Sequence, residues 1–357
     1  FMKRALRLAR RGRGWVSPNP MVGAFLVKGD RIIGEGYHER FGGPHGEVNA
    51  FDRATESPAG ATLYVTLEPC FHHGKTPPCV DRVLREKPAR VVIGTVDPNP
   101  RVSGRSVGRL REAGVSVTVG VLERECRDLN ETFFKFMETG LPFVTVKYAQ
   151  TLDGRIATSS GDSRWISSLE SRKFAHRLRS RHDAILAGIG TVLADDPELT
   201  VRLIRGRTPL RVVVDALLRI PLESRVLKGQ DTARTIVLTS PRSDPRKQEL
   251  LKTLDIETIV IEEEKQGLLD MKKVFAELGK RGLSSVLVEG GSGIITSCLK
   301  HGCADRLVVI TAPRILGRGI EAVGDLGHAA IDQSFGLKIE RMLRGNSDII
   351  IDARLEY

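Results

Sequence analysis

The sequence predicts two α/β domains that meet near residue 142. The chain has 357 residues, which is long for one domain of ordinary size. Short apolar runs alternate with helical patterns in both halves, and this alternation is typical of a mostly parallel sheet covered by helices on both faces. Gly140-Leu141-Pro142 interrupts the pattern. The expected domains are therefore residues 1–142 and 143–357.

The first half begins with Met2, Ala5, Leu6 and Ala9 at helical spacing, which predicts a helix. The same start is basic and lacks acids, which is also typical of a transit peptide. The next expected elements are a hairpin of Val22–Val27 and Ile32–Tyr37, helices at Gly46–Thr55, Cys79–Lys87 and Ser106–Glu112, strands at Thr62–Leu67, Arg90–Val96 and Val115–Val119, and a closing helix at Leu122–Met137.

The second half repeats the alternation. The expected strands are Phe143–Tyr148, Ala184–Ala187, Leu210–Val214, Thr235–Leu238, Thr258–Ile261, Ser285–Val288 and Leu307–Ile310, and the helical patterns between them include Ser168–Arg179 and Leu268–Lys280.

Composition narrows the class of protein. No apolar run approaches the roughly 18 residues of a membrane helix, so no membrane partner is expected. The chain has five cysteines, an odd and sparse set that argues against a framework of disulfide bonds. It favours a reducing, cytoplasmic location. The formal net charge of +11 suits either nucleic acid or phosphorylated small ligands. Basic residues are spread along the chain and aromatics make up 5%, so a phosphorylated small ligand is favoured over nucleic acid.

The sharpest functional signal is Pro44-His45-Gly46-Glu47 followed by Glu68-Pro69-Cys70 and Pro77-Pro78-Cys79. A catalytic zinc keeps three protein ligands, commonly imidazole or thiolate, and one open position for water. His45, Cys70 and Cys79 are the candidate ligands. Glu47 is the candidate catalytic residue, because zinc base deaminases use an acid two residues after the histidine as a proton carrier.

The spacing of the cysteines departs from the short motif of those deaminases, in which two residues lie between them. Here eight residues lie between Cys70 and Cys79. They include His72-His73, which could supply a second metal or the fourth ligand of a structural zinc, and Lys75-Thr76, whose donors suit a phosphate. A substrate-binding loop is the favoured interpretation.

These segments also carry a family resemblance. They are Ser17-Pro18-Asn19-Pro20, Gly36-Tyr37-His38, Pro44-His45-Gly46-Glu47-Val48, Thr66-Leu67-Glu68-Pro69-Cys70, His72-His73-Gly74-Lys75-Thr76-Pro77-Pro78-Cys79 and Asp97-Pro98-Asn99-Pro100. Together they resemble the bifunctional deaminase-reductase family of riboflavin biosynthesis. Among cytidine-deaminase-like enzymes, the long loop between the two cysteines is peculiar to this family. Gly46 and Asn49 depart from the usual pattern, where alanine and histidine are common.

The resemblance implies a cytidine-deaminase-like, three-layer α/β first domain. It would remove the 2-amino group of 2,5-diamino-6-ribosylamino-4(3H)-pyrimidinone 5′-phosphate by attack of zinc hydroxide, with Glu47 carrying the proton to the leaving ammonia. The residues implied to line the substrate pocket are Asn19, His38, Lys75 and Asn99, the last two near the phosphate.

The second half carries a weaker pattern. Glu289-Gly290-Gly291-Ser292-Gly293 follows a strand and opens a helix, a geometry that can hold a phosphate, but it does not complete the dinucleotide-binding fingerprint. Lys147 suits a proton donor or sugar ligand as well as an ordinary strand-end lysine. Leu152-Asp153-Gly154-Arg155-Ile156-Ala157 and Gly190-Thr191-Val192-Leu193-Ala194-Asp195-Asp196-Pro197 extend the resemblance to the reductase half of the same family.

That resemblance implies a dihydrofolate-reductase-like α/β domain that uses NADPH to reduce the ribosyl group to ribityl. A homo-oligomer, dimer or tetramer, is also expected. The implied cofactor contacts are Ala149, Trp165, Thr191, Asp195, Ala216, Gly291, Ser292 and Gly293. The implied substrate contacts are Ser163, Arg179, Leu199, Arg202 and Glu289. A zinc nucleic-acid base deaminase with an accessory binding domain is the alternative function, and a non-catalytic zinc scaffold is a second one.

Overall fold

The computed structural model describes residues 1–74, 76–265 and 267–357, and these divide into two units, Phe1–Gly140 and Leu141–Tyr357. None of the helices in these ranges is both long and apolar enough to cross a membrane.

Five strands in the described part of the first unit form one sheet. They are β1 (Gly23–Lys28), β2 (Arg31–Tyr37), β3 (Thr62–Leu67), β4 (Arg90–Thr95) and β5 (Ser116–Val119). Their order is β2-β1-β3-β4-β5, with β1 antiparallel to both neighbours and β3, β4 and β5 parallel. The helices are α1 (Met2–Ala9), α2 (Gly46–Asp52), α3 (Cys79–Glu86), α4 (Arg105–Glu112), α5 (Glu123–Leu129) and α6 (Glu131–Thr139), and a short 3-10 turn spans Arg10–Gly12.

Helices cover both faces of this sheet because successive strand residues point to opposite sides. Ala24 and Leu26 join a core with α2, α3, α4 and α6, whereas Phe25 between them joins a second core with α1 and α5. The first unit therefore has three layers. The start of the chain is a helix, as its apolar spacing predicts.

The prediction of one continuous closing helix over Leu122–Met137 is wrong. The structure has two helices, α5 and α6, that meet at Asn130. The Asn130 side chain accepts a hydrogen bond from the Met21 backbone N–H (2.8 Å) and donates one to the Met21 carbonyl (2.9 Å). A local helical pattern does not reveal such a bond across 109 positions of sequence.

A nine-stranded sheet, counted over the described residues, organises the second unit, in the order β11-β10-β9-β8-β14-β6-β15-β18-β17. The strands are β6 (Phe143–Thr151), β7 (Arg155–Thr158), β8 (Ala184–Gly188), β9 (Leu210–Val214), β10 (Thr235–Thr239), β11 (Glu257–Val260), β12 (Glu263–Lys265), β13 (Leu268–Leu269), β14 (Ser285–Val288), β15 (Arg306–Ala312), β16 (Gly319–Glu321), β17 (Gly336–Gly345) and β18 (Asp348–Glu356). Its α-helices are α7 (Leu169–Arg179), α8 (Ile189–Asp195), α9 (Pro245–Thr253), α10 (Met271–Lys280) and α11 (Ser292–Lys300), and short 3-10 turns span Arg225–Leu227 and Ile331–Gln333.

The strands from β11 to β15 in this order are parallel, as the alternating pattern predicts. β18 and β17 add an antiparallel edge that was not foreseen. The helical pattern Leu268–Lys280 also starts too early: Leu268–Leu269 is a strand, and α10 begins at Met271 because the Asp270 side chain accepts the N–H groups of Lys272 and Lys273.

Candidate active sites

The first unit places His45 at the N-terminus of α2. His45 is the N-cap residue and Glu47 lies in the first turn. Gly46 allows this position, because a Cβ atom there would lie 2.8 Å from the Val22 carbonyl oxygen. Gly46, where the family commonly has alanine, thus lies where the start of α2 comes close to Val22, the residue before β1.

Two cysteines meet His45 at this point. Cys70 follows the end of β3, and Cys79 is the first residue of α3. The Cys79 Sγ lies 3.2 Å and the Cys70 Sγ 3.5 Å from the His45 Nδ1, and one candidate ligand atom of each residue lies within 4.8 Å of the others. The backbone N–H of Cys79 also donates to the Cys70 Sγ (3.2 Å). A hydrogen bond from the Cys79 thiol lowers the pKa of Cys70 to about 4, which favours the thiolate that binds metal.

Glu47 lies beside this cluster and is 2% exposed. Its Oε2 is buried and has no hydrogen-bond partner among the described residues. Burial raises the pKa of Glu47 to about 7. A buried carboxylate with an unsatisfied oxygen needs a partner, and a ligand or an ordered water meets that need.

His38 and Asn19 form a fixed pair next to the cluster. The His38 ring lies edge-on to the His45 ring, with centroids 5.0 Å apart. Because the Pro44 carbonyl can only accept, the His38 Nδ1 donates to it (3.0 Å), and the Nε2 accepts from the Asn19 amide (3.2 Å). Burial lowers the pKa of His38, consistent with this neutral ring. Asn49 also donates to the Tyr37 and Pro44 carbonyls, so it holds α2 against β2.

Asn99 lies in a loop that is tied to the cysteine loop through Glu68. The Glu68 carboxylate is 2% exposed and accepts the backbone N–H groups of Asp97, Gly104, Ser106 and Val107 at 2.9–3.3 Å. The Asn99 Oδ1 accepts from the Arg101 N–H (3.0 Å). Lys75, the other residue expected near a phosphate, lies outside the described residues.

Replacement of Glu68 by glutamine is expected to destabilise the first unit by about 3 kcal/mol, because an amide NH₂ would face backbone donors that now meet a buried carboxylate. The free energy of unfolding from urea titration measures this change. Glu56→Gln, at an exposed ion pair with Arg31, is the matched control and should cost less than about 1 kcal/mol. Equal effects of the two substitutions would show that the four backbone bonds contribute little.

The second unit contains a cleft of about 1140 Å³. It opens where the carboxyl ends of parallel strands meet, the usual ligand position in such sheets. Every reductase residue expected from the sequence lines it: Ala149, Ser163, Trp165, Arg179, Thr191, Asp195, Leu199, Arg202, Ala216, Glu289, Gly291, Ser292 and Gly293.

Two helices begin at this cleft. α8 starts after Gly188 and α11 starts after Gly291. They pack closely, because a Cβ atom on Gly188 would lie 2.6 Å from the Ile294 side chain. The Gly291 N–H donates to the Thr191 Oγ1 (2.9 Å), which joins the two helix starts. Their N–H groups and positive helix ends suit the phosphates of a dinucleotide.

A buried charge cluster lies at the end of β14. The Arg179 Nε and Nη2 donate to the two Glu289 oxygens (2.7 and 3.0 Å), and the Lys147 Nζ donates to Glu289 (3.3 Å). The Arg179 Nη1 donates to the Thr200 carbonyl (2.9 Å). Arg179 thus engages Glu289 and the loop after α8, whereas the Arg202 side chain is 46% exposed and better placed for an incoming phosphate.

The remaining expected contacts also line the cleft. The Ser163 hydroxyl donates to the Asp195 carboxylate (3.3 Å), and the Arg172 guanidinium lies 4.1 Å from the Trp165 ring centroid. Trp165 is 59% exposed, so its ring face and edge are accessible to a ligand. Leu199 lines the same cleft, is buried, and has a φ of 53°, in the left-handed region.

Comparisons with known proteins match both units. A model of the cytidine and deoxycytidylate deaminase zinc-binding region matches residues 1–95, and a model of the RibD C-terminal domain matches residues 142–351. The riboflavin biosynthesis protein RibD of Aquifex aeolicus (strain VF5) is 45% identical over 352 residues, which cover 98% of this chain and 96% of that protein. The chain belongs to the RibD family.

Solved structures of RibD proteins match the structure of this chain over nearly its full length. The diaminohydroxyphosphoribosylaminopyrimidine deaminase/5-amino-6-(5-phosphoribosylamino)uracil reductase of Thermotoga maritima is 40% identical with a TM-score of 0.86, covering 99% of this chain and 97% of that one. RibD of Acinetobacter baumannii is 34% identical with a TM-score of 0.89, covering 100% and 98%.

The expected family, the two-domain α/β fold, the bifunctional deaminase-reductase function in riboflavin biosynthesis, and zinc and NADPH as cofactors are confirmed. The comparisons do not support the nucleic-acid base deaminase. Sequence reasoning placed Glu68 in the cysteine motif but gave it no role, and it did not single out His176, although a histidine one turn before Arg179 is a signal that could have drawn attention to it.

Proposed function

We propose that the first unit hydrolyses the 2-amino group of 2,5-diamino-6-ribosylamino-4(3H)-pyrimidinone 5′-phosphate, and that the second unit reduces the ribosyl group of the product to ribityl. The observation that carries the first step is the trio His45, Cys70 and Cys79 beside a buried Glu47 oxygen without a partner. The Thermotoga maritima relative is named for the same two activities.

The donor set of the first unit fits a catalytic zinc. One imidazole and two sulfurs are a common three-ligand set, and neither His72 nor His73, both described, joins them. This supports an open position rather than the closed shell of a structural site. When bound, zinc lowers the pKa of a water molecule toward about 7. His45, Cys70 and Cys79 would hold it.

Glu47 is the proposed proton carrier of the deamination. Its Oε2 accepts the proton of the attacking water and returns it to the amino group, so that water enters and ammonia leaves without net proton change. The Glu47 Oε2 is buried beside the trio and has no hydrogen-bond partner among the described residues, so it is free to take a proton from water and give it to the leaving group.

The other expected contacts orient the ring and its phosphate. The neutral His38 and Asn19 form a rigid polar pair beside His45, which supports their place in the ring pocket. Asn99 and Lys75 are proposed near the phosphate. For Asn99, the support is its place in the loop that Glu68 ties to the cysteine loop.

The cleft of the second unit fits a dinucleotide and a phosphorylated substrate together. NADPH, when bound, supplies the hydride for the ribosyl carbon. Thr191 and Gly291, Ser292 and Gly293 are proposed to hold its phosphates, and Ala149, Trp165, Asp195 and Ala216 the rest. For the substrate we propose Ser163, Arg179, Leu199, Arg202 and Glu289, with Lys147 as a further contact because its Nζ reaches the Glu289 carboxylate.

Two assays on the whole chain test this proposal. Ammonia release from the diamino substrate is expected to stop after chelation of zinc and to return when zinc is added back. NADPH oxidation is expected only in the presence of the deaminated pyrimidine, and chelation should leave it unchanged. Ammonia release by the metal-free chain would contradict the first assignment. Absence of NADPH oxidation by a folded chain would contradict the second.

We also propose that the chain forms a homo-oligomer, a dimer or a tetramer. β17 is one of the two outer strands of the sheet, and its apolar side chains at Leu337, Ile339 and Met342 are 46–64% exposed. An exposed apolar edge strand is a surface for pairing with a second copy. Light scattering should give a multiple of 39.3 kDa, and Met342→Lys should shift it toward the monomer. A wild-type monomer would contradict this.

A cytoplasmic location completes the proposal. Cys70 and Cys79 are free thiols, and they must stay reduced to bind metal, as they do in a reducing compartment.

A further inference from the structure

His176 lies in α7, one helical turn before Arg179, and it lines the cleft of the second unit. It is 5% exposed. Its Nδ1 accepts the backbone N–H of Arg202 (2.9 Å) and, at longer range, that of Leu203 (3.4 Å). Because both partners are donors, Nδ1 carries no proton.

The charges around His176 keep the ring neutral. Burial, together with Arg179, Arg202 and Lys147, lowers the pKa of His176 to about 4, and Glu289 opposes this only in part. The acceptor at Nδ1 is therefore present throughout the neutral pH range.

The segment that His176 holds has few other anchors, among them the buried Leu199 side chain and the bond from the Arg179 Nη1 to the Thr200 carbonyl (2.9 Å). Residues 199–206 form no helix or strand, and the Val201 N–H makes a bond of 3.3 Å to the Thr208 hydroxyl. The Arg202 side chain bonds Glu198 (2.8 Å) and Thr200 (2.9 Å), both of which lie on the same stretch of chain. The bond from the Arg202 backbone to His176 fixes this residue to α7.

We propose that His176 is a positioning residue of the reductase site, which acts through Arg202 by anchoring the backbone that presents its guanidinium to the anionic end of the substrate. This rests on the proposed function, in which Arg202 binds the substrate phosphate. Loss of the anchor weakens substrate binding and leaves the hydride step and the binding of NADPH unchanged, because the residues proposed for the NADPH phosphates lie at the starts of α8 and α11.

Two variants separate the acceptor from the bulk of the ring. Asparagine places its Oδ1 near the position of the histidine Nδ1, whereas phenylalanine keeps the ring and removes the acceptor. His176→Phe is expected to raise the KM for the deaminated pyrimidine phosphate about tenfold, with kcat and the KM for NADPH changed less than about threefold. His176→Asn is expected to restore the KM to within about threefold of the wild type.

A double-mutant cycle tests whether the effect passes through Arg202. Arg202→Ala retains the backbone N–H but removes the guanidinium. In that background His176→Phe is expected to raise the KM less than about twofold, because the guanidinium that His176 would position is already absent. Full additivity of the two substitutions, or an Asn variant as impaired as the Phe variant, would overturn the proposal.

The failure of the proposed function is distinguishable from the failure of this inference. If the wild-type chain oxidises no NADPH with the deaminated pyrimidine, the assigned reaction is wrong. If the wild type is active and His176→Phe has wild-type KM, the reaction stands and the positioning role is wrong. Circular dichroism spectra of the variants, compared with the wild type, report whether the second unit is folded.

Discussion

Glu47→Gln is expected to slow ammonia release by about 10²–10⁴-fold while the protein still binds one zinc. The amide keeps the shape of the side chain but cannot accept the proton of the attacking water. Because Glu47 is outside the trio of candidate ligands, metal content should change little. The measurements are ammonia release from the diamino substrate and zinc per chain by elemental analysis.

The matched control for this prediction is Asp52→Asn. Asp52 lies on the same helix and loses the same charge, but its side chain is 50% exposed and pairs with Arg82. It should retain nearly full deamination. NADPH oxidation by the Glu47 variant, given the deaminated pyrimidine, is a second internal control. Retained ammonia release by Glu47→Gln would remove Glu47 from the proposed mechanism, whatever the zinc content.

The arrangement of the first site could be anticipated because its residues lie in short, dense motifs. His45 and Glu47 are two positions apart, and each cysteine follows a proline. Only histidine and cysteine supply imidazole and thiolate ligands for zinc. Finding one histidine and two cysteines in the order of the deaminase motif is therefore informative. The strands could be anticipated for a similar reason, since buried parallel strands are short apolar runs with turns at both ends.

The interactions that hold the sites were not anticipated, because they join positions far apart in the chain. Glu68 accepts backbone N–H groups from residues 97–107, and backbone donors leave no trace in side-chain patterns. His176 holds the backbone of Arg202, 26 positions away. The break at Asn130 has the same origin, a side-chain bond to Met21. Periodicity reports which face of an element is buried, but not which polar groups meet across it.

Glu289→Gln is expected to destabilise the second unit by about 3–5 kcal/mol at pH 7, because it leaves the buried Arg179 and Lys147 without a carboxylate. The Glu289 side chain is 9% exposed, so water compensates little. Urea unfolding, followed by the fluorescence of Trp165 in a Trp15→Phe background, measures the change. Glu257→Gln is the matched control, since its partner Arg281 and Glu257 itself are 31% and 43% exposed and the pair should contribute less than about 1 kcal/mol.

The pH dependence of this difference identifies its cause. Burial raises the pKa of Glu289, but Arg179 and Lys147 outweigh burial and hold the pKa well below its usual value of 4.5. A carboxyl group whose pKa is depressed in the folded state stabilises the fold above its unfolded pKa and loses that contribution as the pH falls toward the folded value. The gap between wild type and Glu289→Gln should therefore be full at pH 7 and shrink below about pH 4.5, because the wild type loses stability there and the glutamine variant has no carboxyl group to protonate. A gap that stays constant down to pH 3 would mean that the substitution acts through packing and not through the lost charge.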